Sequence, residues 1–179
     1  MVSSDPLAEL VERVRAAEPR AGGTRVVLVD GRSGSGKTAV AARLAGALAA
    51  PIVALEHLYA GWDGLDDGIE LLRTAVLEPL AAGGAVFVPH YDWVAGGWAE
   101  PWPLEQTDVL IVEGVGAGAR ASARYASLLI WVELAADERM KRALARDGDL
   151  YRPHWERWAA QEDVLLAREE TPARADVTL

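Results

Sequence analysis

Apolar residues fall along the chain in two patterns, short dense runs and longer periodic stretches, and each predicts a different element. Leu7, Leu10, Val11 and Val14 recur at helical spacing, with Ser4 or Asp5 ahead of Pro6 as the start and Pro19 and Gly22-Gly23 as the stop. Arg25–Asp30 (RVVLVD) is a dense β-branched run of the buried-strand type. Lys37–Ala50 is rich in Ala and Leu at helical period and ends at Pro51. Ile52–Leu55 reads as a second strand, a loop carrying Gly61, Gly64 and Gly68 follows, and Ile69–Ala82 reads as a helix closed by Gly83-Gly84. Ala85–Val88, Val109–Val112 and Leu128–Glu133 predict three further strands, and Asp176–Leu179 adds a short final one. Arg120–Tyr125, Asp137–Arg146 and Pro153–Glu170 predict helices. Pro89–Thr107 carries so much Gly, Pro and Trp that no regular element is expected there.

Strands alternating with helices predict an α/β fold, a parallel sheet of five strands covered on both faces in three α/β/α layers. The 179 residues fit one domain, 1–179, with no repeat and no linker. Composition changes this picture only by exclusion. A formal net charge of −9 argues against a general nucleic-acid surface. No apolar run is long enough to span a membrane, and the N-terminus lacks the apolar core of an export signal, so no membrane partner and a cytoplasmic location are expected. The absence of cysteine removes disulfides, thiolate metal sites and thiol nucleophiles.

The candidate chemistry begins where the first strand ends. Gly31-Arg32-Ser33-Gly34-Ser35-Gly36-Lys37-Thr38 satisfies G-x-x-x-x-G-K-[ST] at every fixed position, and a predicted strand leads in while a predicted helix leads out. A Gly- and Ser-rich turn could match the letters by chance, but that flanking context is the one in which backbone N–H groups and a helix N-terminus converge on phosphate. Gly31, Ser33, Gly34, Ser35, Gly36, Lys37, Thr38 and Ala39 are therefore expected to bind a nucleoside triphosphate, with Lys37 on the β- and γ-phosphates and Thr38 on magnesium. Lys37 is one of only two lysines, the other being Lys141.

Phosphoryl transfer also needs carboxylates at the carboxyl ends of the strands. Glu113 closes an apolar strand and is expected to hold magnesium or its water. Glu56 follows the second strand and is the candidate to orient and deprotonate an acceptor hydroxyl, and to share the metal. Asp30 is expected to brace the loop rather than join the site. Arg142 and Arg146, four apart on one helix face, are candidates to stabilise the transferring phosphoryl group. Of seven tryptophans, Trp62, Trp93, Trp98 and Trp102 lie in predicted loops on the active-site side, and Tyr59 and Trp62 stand nearest Glu56. Trp131, Trp155 and Trp158 are expected in the core. His57, His90 and His154 have no metal-ligand spacing.

Taken in order, the loop Gly31–Thr38, Glu56-His57-Leu58-Tyr59, Pro89-His90-Tyr91-Asp92, Val112-Glu113-Gly114 and Arg139–Asp147 resemble the uridine kinase-like branch of P-loop kinases, which includes phosphoribulokinase and pantothenate kinase relatives. The resemblance implies a P-loop NTPase fold with a small helical lid at about 139–154 and the use of ATP with Mg2+. It further implies a catalytic base at Glu56, where the family carries Asp, and an acceptor pocket at Tyr91, Asp92 and Trp93. The mobile arginine-bearing lid of the family matches Arg139, Arg142 and Arg146. Nucleoside-binding members carry His and Arg after the Tyr-Asp pair, whereas here the stretch is Val94-Ala95-Gly96-Gly97-Trp98. The expected activity is transfer of the γ-phosphoryl of ATP to the hydroxyl of a small molecule, with a nucleoside first in line. The alternatives are a nucleotide-binding regulatory module with slow hydrolysis, and a kinase for nucleotides or another small alcohol. A switch protein would carry a base-specificity motif such as Asn-Lys-x-Asp, and this chain has none. Either a monomer or a homodimer is compatible with the sequence.

Overall fold

A computed structural model describes residues 6–179, apart from the side chains of residues 146, 147, 149 and 150. Ser4 and Asp5, expected to open the first helix, lie outside the described residues. Helix α1 (Pro6–Ala16) leads to strand β1 (Arg25–Asp30), helix α2 (Lys37–Leu48) and strand β2 (Ile52–Ala54). Strands β5 (Val109–Glu113), β6 (Ala126–Trp131) and β7 (Val177–Thr178) complete a five-stranded parallel sheet in the order β2-β5-β1-β6-β7.

Side chains alternate across that sheet at period two, which divides the core into two layers. Val27, Val29, Ile111, Leu128 and Ile130 pack under Leu10, Val11 and Val14 of α1 and Ala41 and Leu44 of α2. Val26, Leu28, Leu110, Val112 and Leu129 face the other way. They pack with a long helix that runs as α3 (Leu65–Leu71), a π-helical stretch Leu72–Leu77 and α4 (Glu78–Ala81). The central strands are apolar on both faces because both faces are covered. Short α5 (Arg120–Ala123), α6 (Ala136–Tyr151, kinked at Gly148), a 3₁₀ turn at Arg152–His154, α7 (Trp155–Glu169) and α8 (Thr171–Arg174) complete the chain. Among the described residues no helix is long and apolar enough to cross a membrane.

The sheet has the expected five strands but not the expected five members. The run at Ala85–Val88 does not join it. It opens strand β3 (Val86–Asp92), which pairs antiparallel with β4 (Gly97–Leu104) as a separate two-stranded ribbon, and β7 takes the fifth place in the main sheet. Pro89–Thr107 is therefore largely regular. Prolines argue against a central strand, but both strands of a ribbon are edges, where a missing N–H can face solvent. The pairing register slips between Val88 and His90, on either side of Pro89. Asp92 turns the ribbon by accepting the N–H groups of Val94 and Ala95, and Gly96 takes φ 69°.

Gly68 also differs from expectation. It lies inside α3, not in a loop, and a Cβ there would come within 2.5 Å of the Tyr59 ring. The glycine lets that ring lie directly on the helix, which fixes one wall of the site described next.

Candidate active site

Strand register places the chemistry. Ala54 of β2, Glu113 of β5 and Val29 of β1 form one row across the sheet. Just beyond that row β1 enters the Gly31–Gly36 loop and β2 enters a 3₁₀ turn at Leu55–His57 that presents Glu56. The row lies at the carboxyl edge of the strands, the usual position for a ligand crevice in an open α/β sheet.

The loop is held from three sides. Asp30 is 1% exposed and accepts the N–H groups of Gly31 (2.7 Å), Gly116 (2.9 Å) and Gly118 (2.9 Å). It thus ties the start of the loop to the segment after β5. From α7, the buried Glu162 carboxylate accepts from the Ser33 N–H (2.8 Å), Arg32 Nε (2.9 Å) and Trp158 Nε1 (3.1 Å). From α6, Arg139 Nη1 donates to the Ser33 carbonyl at 3.4 Å and Nε to the Leu134 carbonyl at 3.0 Å. The backbone approach of α6 is so close that a Cβ on Gly34 (φ 80°) would fall 2.1 Å from the Arg139 carbonyl oxygen.

Burial raises the Asp30 carboxyl pKa from 3.8 to about 6, against its three backbone donors and the Lys37 charge. The unfolded chain holds that proton less tightly than the native one. The contribution to stability is therefore complete below about pH 4 and is lost as pH rises through about 6, a change of about 3 kcal/mol. Asp30→Asn is expected to remove this component. Urea midpoints of the two proteins between pH 4 and 7 should show a falling term in the parent that the variant lacks.

Glu162 was not singled out from the sequence. The available signal was its place on one face of α7 with buried Trp158, Leu165 and Glu169, where an acid demands a partner. Glu162→Ala strands a backbone N–H, an indole N–H and the Nε of Arg32, whose Nη2 keeps Asp163, and is expected to lower stability by about 3 kcal/mol in denaturant titrations.

A cavity of about 410 Å³ opens beside the loop. Ser33, Lys37 and Thr38 line one side, and Glu113 with Gly114 and Val115 forms its floor. Glu56, Tyr59, Trp62 and Trp93 line the remainder with Tyr151 and Trp158. The structure therefore gathers Ser33, Lys37, Thr38, Glu56, Glu113, Tyr59, Trp62 and Trp93, eight residues nominated from sequence, around one space. Lys37 Nζ donates to the Arg32 carbonyl at 3.4 Å, so the ammonium lies over its own loop. Thr38 Oγ1 donates to Glu113 Oε1 at 3.3 Å. A hydroxyl beside a buried carboxylate is a hard-oxygen pair that suits Mg2+, which takes few protein oxygens and completes its shell with phosphate and water. Among the described residues no three His, Asp or Glu converge into an all-protein metal cage. The anion fit is equally direct. Gly36 (φ 98°) caps the twelve-residue α2 without any side-chain bond, leaving the first N–H groups of the helix for a ligand.

The aromatic handles are already engaged. Tyr59 donates its hydroxyl to the Val115 carbonyl at 2.7 Å, and burial holds its pKa well above 10. Trp93 Nε1 donates to the Glu56 carbonyl at 2.8 Å, fixing that indole against the 3₁₀ turn. Trp62 stacks on Tyr151 and His154 and meets Trp93 and Trp158 at steep angles.

Other nominated residues stand elsewhere. Asp92 is outside the cavity lining; it is half-buried, and the N–H groups of Ala95 and Val94 hold its carboxyl below the usual range. Tyr91 packs edge-on against Trp93 and Trp98, one layer behind the wall. Trp98 and Trp102 belong to β4 and do not line the cavity, and Trp158 is both core and wall. His90 rests against His57, with ring centroids 4.5 Å apart, behind Glu56. Of the arginines, Arg142 is exposed on α6 with Nη1 only 3.5 Å from where a Cβ on Gly36 would sit, which brings a cation to the loop. Arg139 is buried and pins α6 to the loop. The Arg146 side chain lies outside the described residues.

Neither a family pattern nor a curated relative matches the sequence. Solved structures do match. A possible uridine kinase from Bacillus stearothermophilus superposes with a TM-score of 0.71 at 21% identity, covering 100% of both chains. A candidate fructose transport system kinase from Silicibacter sp. TM1040 superposes with a TM-score of 0.63 at 22% identity, covering 98% of this chain and 100% of the other. The chain thus has the α/β fold of these P-loop kinases, end to end.

Proposed function

We propose that the protein transfers the γ-phosphoryl group of ATP to a hydroxyl of a small molecule. One observation carries this reading: Lys37, Thr38 and Glu113 share a single cavity with Glu56 and a wall of aromatic rings. A site for hydrolysis alone has no use for that wall. The resemblance of the sequence to uridine kinase-like enzymes places a nucleoside first among acceptors to assay.

The N-terminus of α2 and the Lys37 ammonium hold and neutralise the terminal phosphates. Thr38 and Glu113 supply the oxygens for Mg2+, and Glu56 stands by as a further carboxylate. When bound, the ion would offset the negative charge that develops on the phosphates. Glu56 takes the proton of the acceptor hydroxyl as that oxygen bonds the γ-phosphorus. The bond from phosphorus to the β,γ-bridging oxygen breaks, and a phosphate ester and ADP result. Arg142 brings positive charge over the loop, and the aromatic wall excludes water that would otherwise compete for the phosphoryl group.

The test is ADP release with ATP and magnesium against nucleosides, sugars, vitamins and nucleoside monophosphates, with Lys37→Ala as the blank. Turnover with one acceptor class that depends on Lys37 supports the proposal. ATP binding with no acceptor-dependent turnover overturns it in favour of a binding module.

A further inference from the structure

Glu56 lines the cavity yet is exposed, so where its carboxylate can reach is set by the backbone of the 3₁₀ turn Leu55–His57. A turn of that kind is short and supports itself weakly. One bond closes it, from the Leu58 N–H to the Leu55 carbonyl at 2.8 Å. That bond leaves the Glu56 carbonyl to a donor from outside the turn.

The donor comes from the ribbon. Trp93 Nε1 donates to the Glu56 carbonyl at 2.8 Å, across 37 residues of chain. One residue on, the His57 ring lies against His90 of β3, with centroids 4.5 Å apart and planes inclined at 35°. Two consecutive residues of the turn are thus gripped by one ribbon. The grip is itself braced. Asp92 Oδ1 accepts the Val94 and Ala95 N–H groups at 2.8 and 2.9 Å, which fixes the backbone beyond Trp93. Tyr91 and Trp62 both meet the Trp93 ring, at 83° and 64°, which restricts its rotation. His90, Tyr91 and Asp92 stand outside the cavity lining, and Trp93 alone of the segment lines it.

We propose that Trp93 is a positioning residue for Glu56, and that the segment His90-Tyr91-Asp92-Trp93 serves the reaction by holding the base in place rather than by binding the acceptor. This rests on the kinase reading and deepens it. Proton transfer from the acceptor hydroxyl needs its oxygen within about 2.6–3.2 Å of the Glu56 carboxylate. A misplacement of about 1 Å at such a group costs up to about a hundredfold in rate. The indole N–H keeps the turn from drifting by that amount, and no bond is made or broken at Trp93. Were the bond only a dock for the ribbon, its loss would act on the rate equally whether or not residue 56 carries a base.

Trp93→benzothienylalanine keeps the shape of the bicyclic ring and removes only the N–H. With the acceptor that gives the highest turnover, the single-turnover rate is expected to fall about tenfold, while affinity for ATP and the melting temperature stay near those of the parent. In a Glu56→Gln background the same replacement is expected to change the residual rate by less than about twofold, because the group being positioned is gone. Trp93→5-fluorotryptophan, which keeps the N–H, is expected to hold the rate within about twofold of the parent. An equal fall in both backgrounds would make the bond merely structural, and an unchanged rate in the parent background would make it idle. Either result overturns the proposal and leaves the kinase standing. A Glu56→Gln protein as fast as the parent removes the base, and the proposal with it. A parent that turns over no acceptor overturns the kinase reading itself, and the proposal falls with that reading.

Discussion

Lys37→Ala is expected to lower kcat/KM for ATP by about a thousandfold or more while the melting temperature stays near that of the parent. The side chain lies at the mouth of the cavity over its own loop, and its one described backbone bond, to the Arg32 carbonyl, is long at 3.4 Å. The loop keeps its supports from Asp30, Glu162 and Arg139 without it. By contrast, a full positive charge aimed at developing phosphate charge in a partly desolvated site is worth at least as much as a single oxyanion-hole donor, whose loss costs a hundred- to a thousandfold. Steady-state kinetics with a thermal melt on the same sample checks both halves. Normal turnover in the variant would place the phosphates elsewhere.

Glu56→Gln is expected to act differently. Glutamine keeps the shape and the 3₁₀ turn, whose carbonyl still accepts from Trp93. It cannot take a proton. Loss of a general base costs about 10²–10⁴ in rate. Affinity for ATP is expected to stay within about threefold, because the loop and α2 are untouched. Single-turnover rates compared with nucleotide titration separate the two effects. A variant that loses ATP affinity and rate together would make Glu56 chiefly a metal ligand. An unchanged rate would move the base to another residue.

Much of this arrangement was legible before the structure. β1, the loop and α2 are specified by local signals that agree: a β-branched run, glycines where the backbone needs them, and an Ala-rich helix. Glu113 and Glu56 were legible because an acid ending an apolar strand stands at the carboxyl edge of a parallel sheet. The ribbon was not legible. Its strands carry prolines and exposed residues such as Phe87 and Trp98, and their pairing is long-range, set by a turn at Asp92 and Gly96 rather than by hydrophobic period. That misreading also displaced Asp92, whose carboxylate is engaged by its own turn, and sent Ala85–Val88 into the wrong sheet.

The supports of the loop were hidden for a related reason. Glu162 lies about 130 residues from Ser33 in the chain, and only the docking of α7 brings them together. Tyr151 and Trp158 likewise reach the cavity because the chain turns at the 3₁₀ segment Arg152–His154 between α6 and α7. The sequence reading put Trp158 in the core without indicating what it would meet, and Tyr151 fell between the predicted helices Asp137–Arg146 and Pro153–Glu170. Asp30 was expected to brace the loop, and it does so through three N–H groups, two of them from a segment more than eighty residues away.

The central claim is that phosphoryl groups leave ATP for an acceptor and not for water. The most direct measurement follows ADP, free phosphate and phosphorylated acceptor in one reaction by phosphorus NMR, with and without the acceptor that gives the highest turnover. The account predicts ADP matched one for one by a new phosphate ester, with free phosphate a minor product and little ADP formed when the acceptor is omitted. ADP matched by free phosphate, at a rate indifferent to every acceptor, would contradict it.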